Sequence, residues 1–169
     1  LLRLIAFQRG AEVSYNELAQ QLGISKNTVE NYLDLLSKVF IIYKLGAYST
    51  NQRKEVSKSS KWFFYDNGIR NAIINDFRFL ALRNDTGLLW ENYIIAERIK
   101  QNSYQGRNVQ YYFWRNYNQQ EVDLIELDNG QVTAVEFKYS PAKKVKMPAA
   151  FATAYPNANF QVITKDNYH

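Results

Sequence analysis

The sequence has no cysteine and a single histidine, at its last position. The first absence excludes disulfides and thiolate metal sites, and it suits a cytoplasmic protein. The second excludes histidine-built zinc sites and Ser-His hydrolase chemistry. No apolar run approaches the roughly 18 residues of a membrane helix, and no signal peptide is visible, so no membrane partner is expected. Any catalysis must therefore rest on carboxylates, lysine and a borrowed metal ion.

What is present points to a folded chain. Its 169 residues are 46% hydrophobic and 15% aromatic, enough for one or two domains with a real core. The net charge of +5 and pI near 9.3 permit nucleic-acid binding without demanding it. Asn84-Asp-Thr-Gly87 is the clearest break and predicts domains over 1–83 and 84–169. The opening Leu-Leu-Arg-Leu reads as the middle of a helix, so the chain is expected to be a piece of something longer.

Residues 1–83 read as a winged helix-turn-helix with a helix after it. Leu1 to Phe7 carry a helical apolar pattern that ends at Gly10. Ser14 with Glu17 forms a capping box for a second helix, closed by Gly23, and Ser25 caps a third. In that third helix Val29, Tyr32, Leu33, Leu36 and Val39 recur at helical spacing. Phe40–Gly46 and Lys61–Tyr65 read as strands around a polar, basic stretch with the composition of a wing. If the unit binds DNA, the third helix offers Lys26, Asn27, Thr28 and Asn31 to the major groove, and Arg53, Lys54 and Lys58 meet phosphates. Glu30 and Asp34 oppose Lys26 and Lys38 on that helix, a poor electrostatic footprint, so packing or oligomerisation is the competing role. Asp66 is expected to cap a fourth helix over 67–79, with Ile69, Ala72, Ile73 and Phe77 inward.

In 84–169 a helix is predicted over 88–100, then an aromatic strand at 109–115. Next come two runs joined through Asn129-Gly130, a strong hairpin signal. A two-residue type I′ turn puts Asp128 opposite Gln131. Counting outward then places Asp123 against Glu136 and Glu121 against Lys138. A three-residue turn with a bulge shifts this pairing by one. Like charges directly opposed destabilise a sheet, and a hard divalent cation between two facing carboxylates would remove that cost. A surface hairpin of mixed charge is the plainer alternative. Arg115 either contacts phosphate or pairs with Glu121. A basic segment holding Lys143, Lys144 and Lys146, a helix near 148–154 and a strand at 159–164 complete the chain.

The sequence Asp123, twelve residues, Glu136-Phe-Lys138 resembles the core of the PD-(D/E)xK nuclease-like superfamily. That resemblance implies a restriction-endonuclease-like αβββαβ domain with a mixed central sheet, behind the winged helix, within an α+β or α/β class. It implies Mg²⁺ held by Asp123 and Glu136, Lys138 placing or activating water, and Glu91 of the preceding helix as a further acid. Phe64-Tyr-Asp66-Asn-Gly68-Ile, Gly87-Leu-Leu-Trp-Glu91-Asn-Tyr-Ile, Tyr112-Phe-Trp-Arg115, Glu121-Val-Asp123 and Val135-Glu136-Phe-Lys138 resemble the C-terminal half of an uncharacterised prokaryotic AAA-type ATPase family. There a P-loop domain precedes the winged helix and a nuclease-like domain of unknown function. No Gly-x-x-x-x-Gly-Lys-Ser/Thr occurs here, so this stretch has no ATP site. The expected partners are the upstream ATPase domain and nucleic acid, DNA first. Two non-catalytic roles compete: a regulatory module that binds DNA or a partner, and an arm that forms a homo-oligomer.

Overall fold

In the computed structural model, the described residues are 1–8, 10–49, 60–140 and 145–168. Among them are six α-helices and six strands, a mixed α+β fold whose sheet has the second strand at one edge beside the first, and the third to sixth following in chain order. Contacts divide the chain into two units: Leu1–Leu45 with Lys58–Tyr93, and Gly46–Ser57 with Ile94–His169. None of the helices among the described residues is long and apolar enough to cross a membrane.

The first unit opens with α1 (Leu2–Phe7), α2 (Tyr15–Leu22) and α3 (Lys26–Lys38). Ser14 Oγ accepts from the Glu17 amide at 3.3 Å and Ser25 Oγ from Thr28 at 3.1 Å, so both helices start where their hydroxyl caps stand. Gly23 ends α2 at φ 65°, a left-handed position where glycine carries no steric penalty. Ile5, Val13, Leu18, Val29, Leu33, Ile42, Trp62 and Phe64 form the core. Tyr32 and Val39, which share the helical spacing, are exposed. The helical repeat on α3 is therefore two adjacent stripes, of which only Val29 and Leu33 are fully buried.

Strand β1 (Ile42–Ala47) starts later than expected because Phe40 takes φ 58°, which breaks the extended run. Strand β2 (Ser60–Phe64) is buried throughout, Lys61 included. Asp66 caps α4 (Asn67–Ile74) through the Gly68 and Ile69 amides at 2.6 and 3.1 Å. The helix stops at Ile74 instead of running to Phe79, because Asn75 turns left-handed at φ 54°. The apolar period continues into the sequence beyond, but Phe77 faces solvent.

Helix α5 (Thr86–Tyr104) outruns the expected 88–100 at both ends, and it buries Leu89, Trp90, Ile94, Ile95 and Ala96 while Tyr93 is exposed. Its residues through Tyr93 cluster with the first unit and the rest with the second. In the first unit, the Asn92 side chain accepts from the Phe64 amide and donates to the Phe64 carbonyl, both at 2.8 Å. This buried amide substitutes for a strand neighbour. Asn92→Leu strands both backbone groups and is expected to cost about 2 kcal/mol in denaturant unfolding; an unchanged midpoint would show that water replaces the amide.

In the second unit β3 (Gln110–Arg115), β4 (Glu121–Asp128) and β5 (Gln131–Lys138) are successive antiparallel neighbours. Strand β6 (Asn159–Thr164) lies parallel to β5, and Gly46 and Ala47 lie parallel to Tyr112 and Phe113. Helix α6 (Ala149–Ala154) follows Pro148, as the sequence suggested. Phe151 sits edge-on to Trp114 at 5.1 Å, in a core shared with Val122, Ile125 and Ala134.

Candidate functional site

The site is built by the β4–β5 hairpin. Asn129 and Gly130 both have positive φ, 50° and 83°, as a type I′ turn requires. Register follows the two-residue turn: Asp128 pairs with Gln131, Leu127 with Val132, and so outward to Leu124 with Val135. One step further the ladder gives way. The Asp123 carboxylate accepts from the Phe137 amide at 2.9 Å, taking a backbone donor with a side chain.

A bulge accounts for this departure. On the other edge of β4, Tyr112 pairs with Ile125 but Trp114 pairs with Val122, so β4 carries one extra residue at 123–124. Bulges bend a strand and re-aim its side chains, and this one lies at Asp123. The register was legible from the turn, whereas nothing in Val122-Asp-Leu-Ile125 signals the insertion.

The outcome is a compact charged cluster. Lys138 Nζ lies 3.0 Å from Glu136 Oε2 and 4.0 Å from Asp123 Oδ2. Glu136 is buried, Asp123 largely so, and Lys138 is more open to solvent. Burial, then the charge of Asp123, raises the Glu136 pKa from 4.5 to about 7; the Lys138 ammonium pulls the other way without cancelling them. Burial and the neighbouring Asp123 carboxylate thus make the charged form of Glu136 costly. A hard divalent cation fits this set because carboxylate oxygens are its preferred ligands. Two side chains would supply only part of such an ion's ligands. Among the described residues no group of three or more His, Cys, Asp or Glu side chains stands together as a metal cage.

The remaining candidates lie on other elements. Glu91 belongs to the first unit, where its charge adds to burial in raising the Tyr43 phenol. Arg115 pairs with Glu121 at 3.1 Å, the second of its two expected roles. On α3, Lys26, Asn27 and Asn31 are exposed and Thr28 is half-buried against Ser25 Oγ at 2.9 Å. Lys26 bonds Glu30 at 3.2 Å and Lys38 bonds Asp34 at 2.6 Å, so both α3 lysines are paired within the helix. Arg53, Lys54, Lys58, Lys143 and Lys144 lie outside the described residues.

Sequence reasoning missed the support behind the hairpin. Arg98 of α5 holds the buried Glu126 through two bonds, Nε at 2.8 Å and Nη2 at 2.6 Å. The available signal was an acid flanked by Ile125 and Leu127 in a core strand, a position that needs a basic partner.

The chain matches two domain families, both of unknown function. Residues 1–80 match the domain of unknown function DUF8612, and residues 86–168 match DUF4143. An uncharacterized protein of the archaeon Methanocaldococcus jannaschii is 37% identical over 73 residues, 43% of this chain and 15% of that protein. An uncharacterized protein of the bacterium Haemophilus influenzae is 30% identical over 64 residues, 38% of this chain and 16% of its own length. The matched stretches thus span about a sixth of these relatives, all of them prokaryotic proteins without assigned activity. No solved structure matches.

Proposed function

We propose that this chain is a nucleic-acid-associated accessory region of a larger prokaryotic AAA-type ATPase, with a Mg²⁺-dependent nuclease-like site in its second unit. The observation that carries the reading is the convergence of Asp123, Glu136 and Lys138 on one hairpin end, where burial and Asp123 make a charged Glu136 costly. The match of residues 86–168 to DUF4143 fits a C-terminal part of an ATPase-associated family. The first unit, in this reading, is the winged helix-turn-helix.

Each residue has a distinct task. Asp123 and Glu136 hold the ion, and the amide of Phe137 fixes the Asp123 carboxylate so that it meets the ion already oriented. Bound there, Mg²⁺ supplies Lewis-acid polarisation of the scissile phosphate and a more acidic water. Lys138, the more exposed of the three, turns from Glu136 toward the phosphate. It orients the attacking water and stabilises the charge that develops as the P–O bond to the leaving group breaks. Glu91, in the other unit, is left out of this set.

Calorimetric titration of Mg²⁺ and Mn²⁺ into the chain and into the Asp123→Ala, Glu136→Ala double variant tests the proposal. Binding is expected in the parent and loss of at least about tenfold affinity in the variant, followed by ion-dependent cleavage of labelled DNA. A parent that binds neither ion, with or without DNA, overturns the nuclease reading. The self-neutralised α3 lysines then favour the second reading, a non-catalytic regulatory or oligomerisation module of the ATPase.

A further inference from the structure

The first unit displays two apolar surfaces that its own core does not use. One is the loop after α4, where Phe77, Phe79, Leu80 and Leu82 are 68, 83, 48 and 67% exposed. This is not a slack segment. Asp76 takes two bonds from the Arg78 guanidinium at 2.9 Å, which, with Arg83 nearby, hold its carboxyl at about 2. Buried Arg83 grips the loop's base through the Asp76 carbonyl, Asn71 Oδ1 at 3.0 Å and both Asp85 oxygens at 2.8 Å. The loop is an anchored platform with large side chains facing water.

The other surface is the outer stripe of α3. Tyr32, Leu35 and Val39 follow the helical three- and four-residue spacing and are half or more exposed, and Phe40 extends them at 71%. Phe40 also occupies the left-handed region at φ 58°, where glycine is the usual residue and a bulky side chain costs about 1 kcal/mol or more. Phe40 meets Tyr65 edge-on at 5.7 Å, yet most of its ring stays in water while the backbone carries that local cost.

We propose that these surfaces are the two halves of one head-to-tail contact, the loop of one copy packing on the α3 stripe of the next. An isologous loop-to-loop dimer would leave the α3 stripe of both copies uncovered. A heterologous contact uses both surfaces of every copy, and a ring of such contacts leaves neither exposed. Size agrees. With a large aromatic presenting roughly 150–250 Å² when fully buried, each surface offers about 400–500 Å² of exposed side chain. Joining them completely buries about 800–1,000 Å² in total, the low end of specific interfaces, where either surface alone stays within what a monomer shows. The contact is therefore weak and reversible, and it is insensitive to salt because its buried groups are apolar. It is independent of the hairpin site and stands or falls separately from it.

The test uses two variants of the full 169-residue chain in sedimentation velocity at high micromolar concentration. Phe79→Asp with Leu82→Asp removes the loop surface; Leu35→Ser with Phe40→Gly removes the α3 surface, and the glycine relieves the backbone at position 40. Unchanged circular dichroism checks the fold of each. The parent is expected to associate with rising concentration, and each variant is expected to associate at least about tenfold more weakly. An equimolar mixture of the two variants is expected to form dimers and nothing larger, because only one productive pair of surfaces remains. A monomeric parent overturns the proposal. So does an α3 variant that associates like the parent, which would mean loop-to-loop contact, or a mixture that stays monomeric.

Discussion

Arg83→Met is expected to lower the unfolding free energy of the first unit by about 3 kcal/mol, the lower end of what breaking a buried ion pair costs. Methionine keeps most of the aliphatic stem, so the loss falls on the charge and its bonds. The Arg83 side chain is 1% exposed and binds Asp85 through Nε and Nη2. Removing it leaves Asp85 with the Arg70 guanidinium at 2.8 Å and orphans the Asp76 carbonyl and Asn71 Oδ1. A pH series separates charge from packing. The Arg83 guanidinium first, then Arg70, holds the Asp85 carboxyl far below its ordinary value. A carboxylate with a depressed folded-state pKa contributes stability above its unfolded value of about 3.9 and loses it as pH falls below that value. The gap between parent and variant is thus expected to be full at pH 7 and to narrow below about pH 4. Equal stability at pH 7, read from urea midpoints, would mean that the network serves only to shape the loop above it.

That network also shows which parts of the fold were legible. The starts of α2, α3 and α4 were, because each rests on a local hydroxyl or carboxylate cap: Ser14, Ser25 and Asp66 all bond an amide two or three residues ahead. The hairpin register was, because Asn129-Gly130 fixes it within the turn itself. The end of α4 was misread because Phe77 falls one helical turn past Ile73 and prolongs the apolar period. Asn75, a residue that tolerates the left-handed conformation, was the competing signal. Periodicity could not divide α3 into a buried and an exposed stripe, since both are apolar and differ only in what the rest of the unit places against them. Arg70 was invisible for a different reason. A charged residue is expected at the surface, and a group that permits its burial, the Ala6 carbonyl, comes from a distant part of the chain. At the site, the identities of Asp123, Glu136 and Lys138 were readable, whereas the bulge that turns the Asp123 carboxylate onto the Phe137 amide was not.

Glu136→Gln is expected to stabilise the protein in alkaline solution and to abolish ion binding with the same substitution. Glu136 is an acid whose folded-state pKa stands at about 7 against an ordinary 4.5, raised by burial first and by Asp123 second. Between these values the folded state holds a proton that the unfolded state has released, so stability falls as pH rises through that window and is level above it. The shift corresponds to about 3 kcal/mol at most. Glutamine, isosteric and uncharged, escapes this penalty: the variant is expected to match the parent near pH 5 and to exceed it by about 1–3 kcal/mol at pH 8. Adding Mg²⁺ at pH 8 then reverses the order for the parent alone, since an ion that binds only the folded state stabilises it by RT ln(1 + [Mg²⁺]/Kd). Thermal melts at two pH values, with and without Mg²⁺, read all four states. A variant less stable than the parent at pH 8 without the ion would show that Lys138, 3.0 Å from Glu136, already satisfies the carboxylate. Burial and the Asp123 carboxylate make a charged Glu136 costly on its own, and in the proposed reading a divalent cation would be the partner that offsets that cost.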